Sequence, residues 1–141
     1  MNYHTQYDRA PDQRLATDLV DYLTKDIGRG GVIVDRAGQV DEGRAESFAG
    51  AATRQEMVRQ HTAAFSKEHD VDDLADAARD VARGHLDGMW VAGVHVSNPG
   101  NPHIHIAEAG GEDELWMDRQ DIEALRSDLA DRLGEPYGDL S

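Results

Sequence analysis

Apolar residues recur at helical spacing in three stretches of the chain, 14–26, 70–85 and 118–133. In each stretch they fall every three or four positions, which places them on one face of an α-helix. Aspartates stand at the start of the second and third stretches, where the helix dipole favours negative charge, and a glycine follows each stretch. The pattern therefore predicts three amphipathic helices.

Alternation of apolar and polar residues predicts strands, most clearly in the second half of the chain. Trp90, Ala92, Val94 and Val96 hold the even positions of 89–97, and a second apolar run covers 103–109. Shorter strands are predicted at 2–8, 32–34 and 114–117. The segment 57–65 fits either a helix or a strand, and 35–53 is interpreted as an exposed connection. We expect one domain over residues 1–141, an α+β fold in which helices pack on an antiparallel sheet in two or three layers.

Three histidines lie on the two strands that flank a loop rich in Asn, Pro and Gly. A hairpin folded about Gly100 would place His95 opposite His105 and Ser97 opposite His103, with Cβ atoms roughly 5 Å apart. His95, His103 and His105 would then converge on one face and hold a divalent metal. Ser97 and Asn98 are close enough in sequence to hydrogen-bond the second nitrogen of a ligating imidazole.

Charge and composition limit the partners that the chain can take. It has 28 acidic and 14 basic residues, a net charge of −14, and no cysteine, so a metal would need histidine and carboxylate ligands. The acids are dispersed and lysine is nearly absent, which is typical of the high-salt adaptation found in halophilic archaea. Such a charge opposes nucleic-acid binding, but at about 1 M salt the Debye length falls to about 3 Å. No apolar run reaches membrane-span length, and no signal pattern opens the chain. We therefore expect a cytoplasmic protein with no membrane partner.

The histidine hairpin also carries a family resemblance. The chain reads WVAGVH at 90–95, NPGNPHIHI at 98–106 and AGG at 109–111. This run resembles the metal motif of conjugative and mobilisation relaxases, which belong to the HUH (His-hydrophobic-His) endonuclease superfamily. LVDYLTKD at 19–26 is similar to the relaxase motif that holds the nucleophilic tyrosine. The two motifs occur in the family order, about 75 residues apart.

The resemblance implies a relaxase-like nuclease domain that nicks single-stranded DNA at an origin or nic site, for plasmid mobilisation or rolling-circle replication. Tyr22 would be the nucleophile, and the three histidines would hold Mg²⁺ or Mn²⁺. Tyr3 and Tyr7 are alternative nucleophiles, and Asp18 or Asp26 could orient Tyr22.

Three arginines are candidate phosphate ligands, and Trp116 is a candidate stacking partner for bases. The arginines are Arg9, Arg54 and Arg59. Two other interpretations remain open. One is an accessory protein of the same fold that binds DNA or metal without cleaving. The other is an unrelated hydrolase that uses metal-bound water, in which no tyrosine would lie near the histidines.

Overall fold

The computed structural model describes residues 1–98 and 100–137, and it shows an α+β fold in three layers. Six antiparallel strands form one sheet in the order β1-β4-β6-β5-β2-β3. The elements, in chain order, are β1 (Asn2–Arg9), α1 (Gln13–Thr24), β2 (Val32–Asp35), β3 (Gly38–Val40), α2 (Glu42–Ala52), β4 (Met57–Ala64), α3 (Val71–His85), β5 (Met89–His95), β6 (His103–Gly110), α4 (Glu112–Leu115) and α5 (Arg119–Leu133). Within the described ranges, no helix has the length and apolar character needed to cross a membrane.

Each face of the sheet has its own core. On one face, α3 and α5 pack on residues such as Trp90, Val94 and Ile104. On the other face, α1 and α2 cover Val91, Ala107 and their neighbours with Leu19, Leu23 and Phe48. The second core leaves one end of the sheet polar, and the candidate site lies there.

The three predicted helices are confirmed, with side-chain caps at their N-termini. Asp12 caps α1, Asp70 caps α3 and Asp118 caps α5, each by accepting a backbone N–H of the first turn. The last helix ends at Gly134, whose φ of 61° is left-handed and suits glycine. These caps are readable from sequence because they depend only on local hydrogen bonds.

Three other segments differ from the predictions. The ambiguous segment 57–65 contains β4, which lies between β1 and β6 and is buried on both faces, so it shows no alternation. The segment 35–53 is not an exposed connection, because it contains β3 and α2. Helix α2 buries Phe48 among small alanines, which give little periodic signal. Residues 114–117 are not a strand, since Glu114 accepts the N–H of Gly111 and starts a helical turn.

The hairpin register differs by two residues from the predicted one. His95 lies opposite His103, and Gly93 lies opposite His105. The physical reason is that Ser97 leaves the strand ladder, because its N–H and its hydroxyl both donate to Asp26 at 2.9 Å. Pro99, part of the predicted motif loop, lies outside the described residues.

Glu135 ties the segment after α5 to the segment between β4 and α3. Its carboxylate accepts the N–H and hydroxyl of Ser66 and lies 2.7 Å from Nε2 of His69. Burial alone would raise the pKa of Glu135, but the bonds from Ser66 and His69 outweigh it and lower the pKa to about 2. His69 is therefore a partly buried hydrogen-bond partner of Glu135.

Candidate active site

A cleft of about 750 Å³ opens between the C-terminal end of α1 and the polar end of the sheet. Even-numbered residues of β1 and β4 and odd-numbered residues of β6 line its floor, since alternate side chains of a strand point to the same face. The loop 96–102 and α1 form its walls. The lining residues are His4, Gln6, Asp8, Leu15, Asp18, Tyr22, Lys25, Asp26, Gln60, Thr62, His95, Ser97, Asn98, Asn101, His103 and His105.

Tyr22 lies directly against the histidine cluster. Its ring stacks on the His105 ring, with 5.0 Å between the ring centroids and 8° between the planes. Leu19 and Leu23 of the same helix are buried against the sheet, so the last turn of α1 holds the phenol over β6. The Tyr22 side chain is still 53% exposed, which leaves it open to a ligand.

The alternative nucleophiles Tyr3 and Tyr7 lie on the other face of the sheet. Tyr3 is buried, and its hydroxyl is 2.6 Å from Nδ1 of His61. Tyr7 is exposed, and the guanidinium groups of Arg9 and Arg59 lie 5.2 and 5.3 Å from its ring centroid. Odd positions of β1 face away from the cleft, so of the three candidates only Tyr22 reaches the histidines.

All three predicted histidine ligands line the cleft. Burial lowers the pKa of each ring, most strongly for His105, whose pKa falls to about 4. The charge of Lys25 also lowers the pKa values of His95 and His103, and Asp26 opposes this, more strongly than Lys25 acts at His95 and less strongly at His103. The rings are therefore neutral at pH 7, the form in which imidazole offers a lone pair to a metal.

The histidine rings differ in the hydrogen-bond partners of their nitrogens. Nε2 of His95 is buried and has no hydrogen-bond partner. A Cβ at Gly93 would lie 3.2 Å from this atom, so the absence of a side chain at position 93 makes room for the His95 ring. His105 has two partners, Gln60 Oε1 at 3.0 Å from Nε2 and Thr62 Oγ1 at 3.4 Å from Nδ1. Rotation of the Gln60 amide would exchange the acceptor for a donor, so either His105 nitrogen can carry the lone pair.

The imidazoles of His95, His103 and His105 are chemically suitable ligands for a divalent metal, but their ring nitrogens do not converge on one point. Across residues 1–98 and 100–137, no three His, Asp or Glu side chains lie close enough together to hold a metal ion. His95 and His103 are opposite neighbours, while His95 and His105 are diagonal neighbours, for which Cβ separations are roughly 7–8 Å. Side-chain rotation, above all of partly exposed His103, is needed to bring the nitrogens together.

Asp26 is buried and braces the loop beside His95. Burial raises the pKa of its carboxyl group, but the hydrogen bonds from Ser97 oppose burial, and the pKa is lowered overall. A Cβ at Gly31 would lie 2.5 Å from the Cβ of Asp26, so a glycine there lets the chain turn tightly around this carboxylate. Ser97 donates its N–H and its hydroxyl hydrogen to Asp26, and the bond between its hydroxyl oxygen and an imidazole stays a prediction. Asn98 lines the cleft, and its bond to an imidazole stays a prediction.

None of the three predicted arginines lines the cleft. Arg59 is 4% exposed on the opposite face, where its Nε donates to the carbonyl of Leu115 at 3.1 Å, so it cannot reach a phosphate in the cleft. Arg9 pairs with Glu112 on that same side, and Arg54 follows α2. Arg9 and Arg59 lie outside the cleft because they hold odd positions of β1 and β4, and the side chains at those positions face α3 and α5.

Sequence reasoning missed several residues that line the cleft. Lys25, Gln60, Thr62 and Asp8 all belong to it, as does exposed His4. Gln60 and Thr62 could have been found by assigning 57–65 to a strand, because they alternate in step with His103 and His105. Trp116 is 65% exposed but is not among the cleft residues.

Comparison of the chain with known protein families and with curated protein sequences finds no match. The similarity to the HUH endonucleases therefore stays a resemblance of motifs.

Proposed function

We propose that this protein is a metal-dependent endonuclease that nicks single-stranded DNA and joins itself to one of the ends. The observation that carries the proposal is the stacking of Tyr22 on His105 at 5.0 Å, inside a cleft that also holds His95 and His103. A tyrosine and three neutral imidazoles are the nucleophile and the metal ligands that such a reaction needs. The motif resemblance supports the same reaction at an origin or nic site, for plasmid mobilisation or rolling-circle replication.

The reaction is a transesterification at phosphorus. The Tyr22 hydroxyl oxygen attacks the scissile phosphate, the new O–P bond forms, and the bond from phosphorus to the 3′ oxygen breaks. The products are a 5′-phosphotyrosine and a free 3′-hydroxyl. The phosphodiester count is unchanged, so the step is reversible and needs no ATP.

Residues of the cleft have separate tasks in this scheme. Asp18 lies one turn before Tyr22 on α1 and lines the same cleft, and in this scheme it accepts the phenol proton. The ammonium of Lys25 attracts the phosphate, and Gln60 sets which nitrogen of His105 is free. A divalent metal, when bound by the histidines, supplies Lewis-acid stabilisation of the charge that develops on the phosphate.

The experiment looks for the covalent product. Protein and Mn²⁺ are incubated in high salt with a pool of random-sequence single-stranded DNA labelled at the 3′ end. The 3′ label is needed because the attached fragment keeps that end. We expect a labelled band at the mass of protein plus DNA on a denaturing gel, and sequencing of the attached fragments should reveal one preferred site.

Two matched variants make the result specific. Tyr22→Phe should abolish the adduct, whereas Tyr7→Phe changes a similarly exposed tyrosine on the other face and should keep it. Cleavage that survives in Tyr22→Phe would favour a hydrolase that uses metal-bound water, although the closeness of Tyr22 to His105 speaks against that class. DNA binding without any adduct in the wild-type protein would favour the non-cleaving accessory protein.

A further inference from the structure

The cleft carries more negative than positive side chains. Its charged lining residues are three carboxylates, Asp8, Asp18 and Asp26, against the single ammonium of Lys25. The protein around the cleft is also acidic, with a net charge of −14.

This balance is the reverse of what a nucleic-acid groove normally shows. Single-strand binding proteins line their grooves with positive charge, which tracks the phosphates and releases counterions. Here Asp18 on α1 and Asp8 on β1 line the same cleft as Tyr22. The cleft without a bound cation therefore repels the substrate that the proposed function requires.

A divalent cation would cancel the excess negative charge of the cleft. Its two positive charges equal the difference between the three carboxylates and the one ammonium of the cleft. The buried Nε2 of His95, which has no hydrogen-bond partner, offers the cation a ligand in this region.

Resting on the proposed function, we propose that the cleft is an electrostatic gate, in which the carboxylates of Asp8 and Asp18 exclude single-stranded DNA until a divalent cation is bound at the histidines. Cation binding then precedes DNA binding, and the two are positively coupled. By linkage, DNA raises the affinity for the cation by the same factor.

The gate also predicts an unusual salt dependence. Ordinary protein–DNA affinity falls as salt rises, because fewer counterions are released. In a cleft that repels DNA, salt instead screens the repulsion, so affinity without a divalent cation should stay flat or rise between about 0.1 and about 1 M KCl. High salt and the divalent cation thus relieve the same repulsion by different means.

The test measures DNA binding rather than cleavage. Tyr22→Phe protein, which cannot form the adduct, is titrated into a trace of labelled random-sequence single-stranded DNA, and retention on filters is followed. Titrations run with and without Mn²⁺ at the lowest KCl concentration at which circular dichroism shows a folded protein, and again at about 1 M KCl. We expect Mn²⁺ to tighten binding about tenfold at the lower salt and much less at the higher salt.

Further substitutions in the Tyr22→Phe background identify the residues. Asp18→Asn should raise affinity without Mn²⁺ by about threefold, since it removes one exposed negative charge and exposed charges interact weakly in water. Asp21→Asn removes a carboxylate from the same helix outside the cleft and should change affinity less. His103→Ala should remove the effect of Mn²⁺, which separates binding at the histidines from screening by the added ion.

Three results would overturn the gate. Equal affinity with and without Mn²⁺ at the lower salt would refute it while leaving the proposed nicking function intact. An affinity without Mn²⁺ that falls steeply as KCl rises would also refute it. No retention under any condition would remove both the gate and the DNA substrate of the proposed function.

Discussion

Replacing Gly93 by alanine should destabilise the fold at the contact that positions Tyr22. The added Cβ would lie 2.8 Å from the carbonyl oxygen of Leu23 and 3.2 Å from its Cα. These are backbone atoms of α1, so no flexible side chain can move aside. Overpacking of this kind costs about 1–3 kcal/mol. For a chain of this length the loss lowers the melting temperature by roughly 3–9 °C.

The assay is urea unfolding followed by circular dichroism, in which the midpoint urea concentration of each variant, at an unchanged slope of the unfolding free energy, reports its stability. Gly84→Ala is the matched control, because position 84 lies in α3 and a Cβ there meets nothing within 4 Å. Alanine favours a helix over glycine, so this control should be stabilised by about 0.5–1 kcal/mol. The two substitutions are thus expected to have opposite signs.

A Gly93→Ala protein as stable as the wild type would refute the reasoning. It would mean that α1 can shift away from β5 without loss, and the position of Tyr22 over His105 would then not depend on this contact. Increased adduct formation by the variant would contradict the same reasoning, since a displaced α1 should separate the ring from the histidines.

Four further outcomes are expected. Tyr22→Phe should change the unfolding free energy by less than about 0.5 kcal/mol, because the hydroxyl belongs to an exposed side chain. Asp26→Asn should cost about 1.5–3 kcal/mol in urea unfolding at pH 7, since it weakens two hydrogen bonds to a buried carboxylate. Glu135 has a lowered pKa, so its stabilisation is complete above its unfolded pKa of about 4.3 and is lost as the pH falls toward 2. Across that pH range, Glu135 should lower the free energy of unfolding of the wild type by about 3 kcal/mol. The fall should be smaller for Glu135→Gln. Saturating Mn²⁺ should raise the melting temperature of the wild type but not of His105→Ala.

The sequence predicted that His95, His103 and His105 share one face of the sheet, but it did not predict how β5 pairs with β6. The pairing of His95 is shifted by two residues from the prediction, and the side-chain period of a strand is also two, so the shift changes partners but not faces. A shift of one residue would have turned His103 and His105 into the opposite core. Local alternation therefore identified the three histidines that share the cleft, while the bonds from Ser97 to Asp26 decided the pairing.

The remaining parts of the site depend on contacts that sequence spacing does not encode. Gln60 and Thr62 reach His105 only because β4 pairs with β6, and the double burial of β4 removed the alternation that reveals a strand. Arg59 illustrates the same limit, since its charge suggested phosphate binding and its parity on β4 buries it beneath α4. Tyr22 was identified by its motif, but its stacking on His105 needed the packing of α1 on β5 and β6.

The position of β1 has a consequence for how the cleft could admit the single-stranded DNA that we propose as its substrate. Its even-numbered residues form one side of the cleft, and it is the outermost strand of the sheet. The cleft is therefore bordered on that side by a sheet edge rather than by another strand. A polymer can be laid in from the side, so a closed circular strand could be bound without a free end and without threading.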